Sequence, residues 1–406
     1  MSDRCRRHAP LFVLAIVLAL LLGAVSFALV ACGSGEKGAG GAASSSSTTG
    51  SAAGSSSTTS EGAGPTSTSA TAATAGTGST AAADPAKGAS LHPAADKTGA
   101  YGYIDNAGTF QIQPWFEYAE TFSEGLAPAQ LAQKWGYLDT NGKWAIQPSY
   151  GAAYPFSGGL ALIIRSDGTA GYIDKTGTMV IGPGKYTESF AEGLAPAYDK
   201  AKGKFGYIDA TGTYVIAAQF DDAKSFSEGL AVVGVNQGGA TKYGYIDKTG
   251  AVVAKVQYDA ALAFAEGLAP VRVGEKWGYL DNTGAMAIQP RFQDASRVSE
   301  GLAPVKLNGA AGYVDKTGAV VIQPRYASTY AFSGGLAAVT VKVDDKEKYG
   351  YVDTTGKVVI EPRYDYAQPF SDGIALVKLP PTSDSDTDTG TQAYIDTTGK
   401  VVWKTQ

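Results

Sequence analysis

The chain is poor in the side chains that most enzymes and metal centres rely on. Among 406 residues it has two cysteines, Cys5 and Cys32, and two histidines, His8 and His92. All four precede residue 96, so the rest of the chain offers no Ser-His-Asp triad, no Cys-His dyad, no His-ligated zinc and no haem ligand of those types. Charge is sparse as well: charged residues make up 17% and the net charge is −5. Without a basic run there is no electrostatic grip for nucleic acid. No phosphate-binding loop or dinucleotide fingerprint is present. Asp and Glu are plentiful, which leaves a carboxylate-pair glycan hydrolase on composition. Most of these acids recur in register, however, as turn residues do, and no unique constellation stands out. The expectation is a protein that is not an enzyme and carries no cofactor.

The amino end reads Arg4-Cys5-Arg6-Arg7-His8, then an apolar run from Leu11 to Val25, and closes on Leu29-Val30-Ala31-Cys32. A basic segment, an apolar segment and a small-residue cleavage site together describe an export signal over 1–31. The last four residues resemble the lipobox of bacterial lipoproteins, which implies cleavage before Cys32 and a lipid on its sulfur. The alternative is an uncleaved helical anchor, since roughly 20 apolar residues suffice to span a bilayer. Either form places the remainder outside the membrane at the cell envelope. Cleavage would leave no free thiol, so stability must come from packing. Residues 32–95 are almost entirely Gly, Ala, Ser and Thr. Such a segment buries too little to offset backbone entropy and reads as a tether, with a coil span on the order of 40–45 Å.

From Tyr101 one phrase returns throughout: Gly102-Tyr103-Ile104-Asp105-Asn106-Ala107-Gly108, then Gly136-Tyr137-Leu138-Asp139-Thr140-Asn141-Gly142. Further copies start at Gly171, Gly206, Gly244, Gly278, Gly312, Gly350 and Ala393, at intervals of 34, 35, 35, 38, 34, 34, 38 and 43 residues. A period in that range marks a repeat architecture. A second phrase, Phe122-Ser123-Glu124-Gly125-Leu126-Ala127-Pro128, has kin in the following units. The unit Lys134-Trp135-Gly136-Tyr137-Leu138-Asp139, with Ile146-Gln147-Pro148 and Phe156-Ser157-Gly158-Gly159-Leu160-Ala161 after it, resembles the WG (KWG) repeat of bacterial proteins. The resemblance runs from about Tyr101 to Trp403 and implies a repeat type without implying an activity. Ala170, Ala311 and Gln392 stand where the repeat has an aromatic.

Period-two alternation around Gly-Tyr-Ile-Asp and the β-branched run Ala319-Val320-Val321-Ile322 predict two strands. Between them, Asp315 to Gly318 has the chemistry of a type I turn with a bulge glycine. Pro148 and its equivalents are expected to end the second strand. Spaced aromatics such as Tyr150/Phe156, Phe220/Phe226 and Tyr326/Phe332 are expected to fill the seam between neighbours. Leu302 to Leu307 and its equivalents predict a third strand. The fold class is therefore all-β, a tandem array over 96–406 of about nine three-stranded antiparallel meanders that must stack to bury their faces. The first copy shows no third-strand phrase ahead of its hairpin, which points to an open superhelical solenoid. A closed, propeller-like ring is the alternative.

From the hairpin Gly to the next Leu the interval is 24 residues in seven of eight units, whereas from that Leu (Ile374 in the last unit) to the next hairpin it varies from 10 to 19. Length variation confined to one loop puts every insertion on one side, often the binding face of a repeat protein. The aromatics beside those loops, Tyr101, Trp135, Phe205, Tyr243, Trp277 and Tyr349, are the candidate ligand contacts. Aromatic cover over a neighbour's glycine is their structural alternative. The register of Asp105, Asp139 and their equivalents reads as turn chemistry rather than metal binding. Asp384, Asp386 and Asp388 form a weak calcium candidate, in which Ile395 occupies the place of the bidentate Glu. Arg291, Arg325 and Arg363 read as solvated surface charge. The resulting expectation is a monomeric cell-surface lipoprotein with a repeat-built domain that binds glycan, cell-wall polymer or protein. A passive envelope spacer is the second reading, and the carboxylate hydrolase the weakest.

Overall fold

The computed structural model describes residues 90–186, 188–381 and 391–405. Every regular element among them is a β-strand. The first seven are β1 (His92–Ala95), β2 (Tyr101–Ile104), β3 (Phe110–Phe116), β4 (Tyr118–Ala119), β5 (Leu126–Leu131), β6 (Lys134–Asp139) and β7 (Trp144–Tyr150). β1 to β3 form one antiparallel sheet and β4 to β7 the next, and the four-strand pattern then repeats to the sheet that spans residues 366–404. We number these sheets as blades 1 to 9. Blades 3 and 4 share the strand Met179–Tyr186, which pairs with both, so the two form one continuous sheet.

Local chemistry accounts for each hairpin. Asp139 opens the turn: its N–H donates to the Lys143 carbonyl at 2.8 Å, and the Gly142 N–H returns to the Asp139 carbonyl at 3.0 Å. Gly142 closes it at φ 76°, a conformation that glycine adopts without a Cβ penalty. The strand then runs past Pro148 to Tyr150 instead of ending at the proline, with a register shift between Trp135/Tyr150 and Tyr137/Ile146. Proline lacks an N–H, and a bulge is where a sheet tolerates that. The bulge drives backbone against Gly136, where an added Cβ would lie 2.5 Å from the Ile146 carbonyl oxygen and 2.7 Å from the Pro148 nitrogen. The hairpin glycine of the repeat is thus required by close approach. The bulge itself does not need the proline, since the outer strands of blades 4 and 5 keep it without one. In blade 9 Ala393 and Tyr394 pair in sequence with Lys404 and Trp403, the shift at this position is missing, and alanine stands in place of the glycine.

Blades are stapled to each other by the hairpin tyrosines. From Tyr103 to Tyr351 these are fully buried, and each hydroxyl donates to a backbone carbonyl of the following blade at 2.7 to 2.9 Å. Tyr137 shows the arrangement, with its hydroxyl on the Tyr154 carbonyl and its ring 4.8 Å from that of Phe156. The spaced aromatics fill the seams as expected: Phe156, Phe226 and Phe332 are buried, as are Phe220 and Tyr326, while Tyr150 is half-buried.

The array closes. Nine blades in an open row would have eight interfaces, but nine apolar clusters are present, one between each pair of neighbours and a ninth joining Ala94 and Ile104 of blade 1 to Ile374, Tyr394 and Trp403 of blade 9. The seam copies the internal contacts. Tyr394 donates to the Pro93 carbonyl at 2.9 Å, and Asn106 Nδ2 donates to the Asp372 carbonyl at 2.7 Å, as Lys175 Nζ does to that of Glu124 at 3.0 Å. The open superhelix therefore gives way to its alternative, a closed ring, here a nine-bladed β-propeller. Two sequence features had concealed this. Leu91-His92-Pro93 is a divergent third-strand phrase: Pro93 pairs with Tyr103 just as Pro128 pairs with Tyr137. Blade 1 therefore starts inside the stretch assigned to the tether, not at residue 96. The units are also four-stranded outside blade 1, because the two-residue strands typified by β4 are too short to leave a periodicity.

Candidate functional site

The two ends of each blade differ. β5 begins at the Ser123-Glu124-Gly125 turn and ends at the variable hairpin, while the Asp-opened hairpin joining β6 and β7 returns to the first end. Because the same contacts recur between neighbours, each end is continuous around the ring. The first, or turn end, is locked. Ser123 Oγ donates to the Phe156 carbonyl at 2.7 Å, and the Glu124 carboxylate accepts the Gly159 N–H at 3.1 Å and pairs with Lys175 at 3.2 Å. Burial alone would raise the Glu124 pKa, but the lysine and the amides outweigh it and hold the carboxyl below its ordinary value. Equivalent bonds join Glu192 to Gly229, Glu266 to Gly301 and Glu300 to Gly335.

The hairpin aspartates belong to this end. Asp174 Oδ1 accepts from the Thr176 hydroxyl at 2.6 Å and from the Thr176 and Thr178 amides, bonds that lower its pKa, the hydroxyl foremost. Its oxygens serve the turn. Among the described residues no three His, Cys, Asp or Glu side chains come together to hold a metal ion. Asp384, Asp386 and Asp388 lie outside the described residues, as does Cys32 with everything before residue 90. No helix among the described residues is long and apolar enough to cross a membrane. The three arginines are exposed, as surface charge is, but each also makes a fixed contact. Arg291, Arg325 and Arg363 each lie over the ring of the next residue and donate to the carbonyl of a turn glycine in the following blade, Gly318, Gly356 and Gly399.

Among the described residues the length-variable hairpins lie at the opposite, loop end, joining equivalent strands in each blade. Their roots are braced by a residue that sequence reasoning missed, the polar one after the outer-strand aromatic. Glu117 accepts the Gln133 N–H at 2.8 Å, Asp221 the Asn236 N–H at 2.8 Å and Asp259 the Gly274 N–H at 2.7 Å, while Gln293 serves Gly309 at 2.6 Å. Asp221 also binds Lys204 at 2.6 Å, and its pKa is lowered by the Asn236 amide first and the lysine second. The legible signal was an aromatic followed by Asp, Glu or Gln at the blade junction, as in Phe220-Asp221 and Tyr258-Asp259.

The six candidate contact residues stand beside these roots, and all six are half-buried. They fall into separate groups. Tyr101 meets Tyr118 at a ring separation of 5.0 Å, and Tyr118 meets Trp135 at 5.8 Å. Tyr349 lies between Tyr330 at 5.8 Å and Tyr366 at 5.9 Å, its hydroxyl 3.1 Å from that of Tyr330. Phe205 packs on Tyr198, Arg272 covers Trp277, and Tyr243 lies by Asp222, its pKa raised by burial above all. Where the repeat has Ala311 instead of a ring, a cavity of about 120 Å³ opens between blades 7 and 8, lined in part by Asp294, Ser296, Lys306 and Thr329. The aromatic position thus fills the gap between blades with one part of the ring and leaves the other at the loop end.

The repeat signature of the WG-containing repeat family matches residues 101–135, 135–164, 171–201, 205–237, 243–277, 277–309, 312–346 and 349–379. No curated relative matches the sequence. Among solved structures, the chain is similar to BamB from Moraxella catarrhalis at 11% identity, over 71% of this chain and 90% of that one, with a TM-score of 0.36. It is similar to apo AztD from Citrobacter koseri at 12% identity, over 70% and 92%, with a TM-score of 0.38. PorZ, a surface component of the type-IX secretion system of Porphyromonas gingivalis, aligns at 8% identity over 69% and 44%, with a TM-score of 0.29. With eight matched units across most of its length, this chain belongs to the WG-containing repeat family.

Proposed function

We propose that the propeller is a non-catalytic binding module whose ligand meets the loop end, and that the residues ahead of blade 1 export it and hold it at the cell envelope through lipid on Cys32. The observation that carries the reading is the combination at one end of the ring of half-buried aromatics with hairpins of unequal length on braced roots. A ring fixed by its neighbours loses little conformational freedom on stacking, so aromatics so placed favour flat apolar ligand faces, such as those of sugar rings, and partner side chains. The turn end uses its polar groups on itself, which leaves the loop end as the recognition surface. Cell-wall polymer, glycan and protein are the ligand classes that fit.

The test is binding of the full chain to purified wall polysaccharide and to a glycan array. Saturable binding that weakens at least about tenfold in the double variant Trp135→Ala/Trp277→Ala, which is about 1.4 kcal/mol, supports the module. The half-burial of the same rings favours a second reading, a passive spacer whose aromatics only fill the gaps between blades. Under that reading the double variant loses stability and there is no binding to lose.

A further inference from the structure

We infer that the inner edge of the ring at blades 1 to 3, midway between its two ends, holds an organic ammonium group, with Glu120 as counter-charge and Tyr118 and Tyr154 as aromatic walls. This deepens the binding reading above and rests on it.

Glu120 follows β4, on the innermost step of blade 2. Its backbone is used, since its carbonyl accepts from Tyr103 and its N–H donates to the Pro128 carbonyl at 2.9 Å. Its carboxylate is not: no hydrogen bond or ion pair reaches it from the described residues. The equivalent acid of blade 4, Glu188, shows what is missing. Glu188 accepts both the N–H and the hydroxyl of Ser225 at 2.6 Å and has Lys224 at 3.9 Å. The residue equivalent to Ser225 in the blade after Glu120 is Pro155, which has neither group, and that equivalent to Lys224 is Tyr154. Two neighbouring residues thus remove the partners of a carboxylate that is mostly taken out of water.

The groups that face it are tyrosines. Tyr103, Tyr118, Tyr137 and Tyr154 all feel its charge. Tyr103 and Tyr137 spend their hydroxyls on the Glu120 and Tyr154 carbonyls, whereas those of Tyr118 and Tyr154 make no bond among the described residues. No Lys or Arg bears on the acid, whose pKa burial alone pushes up to about 7. A lone carboxylate near tyrosines, two of whose hydroxyls are unbonded among the described residues, suits a cation with a soft hydration shell: an ammonium group is drawn to such rings by cation–π attraction and neutralises the acid. A bare metal ion would need several oxygen ligands that are absent here.

The probe is choline, whose charge does not titrate, measured by calorimetry on the full chain at pH 8 and pH 5.5, beside glucosamine and the neutral N-acetylglucosamine. Binding at pH 8 should fall about thirtyfold at pH 5.5, the change in ionised fraction for a group titrating near 7. Glu120→Gln should abolish it, Tyr118→Ala should weaken it at least tenfold, and Glu188→Gln should leave it unchanged. Glucosamine bound in preference to choline identifies an amino sugar as the source of the ammonium group. Choline binding that persists in Glu120→Gln, or that ignores pH, overturns the inference. So does the absence of choline and glucosamine binding, and in that case neutral glycan binding sensitive to Trp135 and Trp277 still supports the broader module.

Discussion

Replacing Gly312 by Ala tests the physical reason for the glycine that defines this repeat. Gly312 is not in the left-handed region, so alanine meets no dihedral penalty there. The obstacle is space: the new Cβ would lie 2.5 Å from the Ile322 carbonyl oxygen and 2.8 Å from the Pro324 nitrogen, both rigid backbone. The two strands must part by more than half an ångström at the bulge, which weakens the pairing of Ala311 with Tyr326. Overpacking against backbone costs about 2–3 kcal/mol. For a domain of this size the melting temperature should fall about 3–5 °C. Two controls isolate the cause. Gly301→Ala has nothing within 4 Å but sits at φ +81°, so it reports dihedral strain alone, about 1 kcal/mol. Ala393→Gly removes a buried methyl that faces an outer strand lacking the shift at this position and should cost about 1–2 kcal/mol in backbone entropy and lost burial. Thermal unfolding followed by circular dichroism ranks the three. The close-approach argument fails if Gly312→Ala is no more destabilising than Ala393→Gly.

Glu120→Gln should change stability with pH in a fixed direction. The folded carboxyl titrates near 7 instead of at its ordinary 4.5, so the folded state holds the proton more tightly, and the contribution present below 4.5 is lost as the pH rises through about 7. The variant should therefore melt higher than the parent at pH 8, by roughly 1–3 kcal/mol after discounting for partial exposure, and match it at pH 4.5; a difference that is the same at both values would exclude burial of the charge as its source. Ring closure predicts that Tyr394→Phe, which strips one hydrogen bond from the seam, costs about 1 kcal/mol, and that Trp403→Ala costs about 3–5 kcal/mol. Small-angle scattering that detects no change in shape for a Trp403→Ala variant of unaltered stability would argue against a packed seam. Ala311→Tyr should fill the cavity of about 120 Å³ and raise stability by about 1 kcal/mol, readable in a denaturant midpoint; a loss would mean the hollow is not shaped for the repeat's ring.

What could be read from the sequence was what local chemistry writes down. The Asp-x-Thr-Gly turns were legible because a side-chain acceptor and a left-handed glycine are needed within five residues, and the coordinates place both, as at Asp174 and Gly177. The hairpin strands were legible from their alternation. The proline position was misread because lack of an N–H ends a strand or marks a bulge equally well, and only the chain beyond it, Ser149-Tyr150, decides which. The two-residue strands left no trace, since two residues have no period. The braces at Glu117, Asp221 and Asp259 were visible only as a dipeptide whose partner, a loop amide some 15 residues on, depends on the fold.

Closure is the feature least visible in the sequence, because a ring and a superhelix share the same unit and the same neighbour contacts and differ only in how small rotations add up. The sequence nevertheless carried the answer at its margin. Each hairpin tyrosine donates to the following blade, and for Tyr394 of the ninth copy the blade that receives the bond is the first. A fully formed ninth unit must either leave that buried hydroxyl unpaired, at about 1–3 kcal/mol, or find a carbonyl elsewhere. Pro93 supplies it, in a copy of the third strand disguised by His92 where the other units have Ala. The imidazole both lies against the Tyr394 ring and binds Asn106, so the one residue that hid the repeat joins the two ends of the ring. His92→Ala would restore the repeat's own residue but remove both contacts. Loss of stability in that variant, where alanine at the equivalent positions is native, would show that the seam depends on contacts the internal interfaces do without.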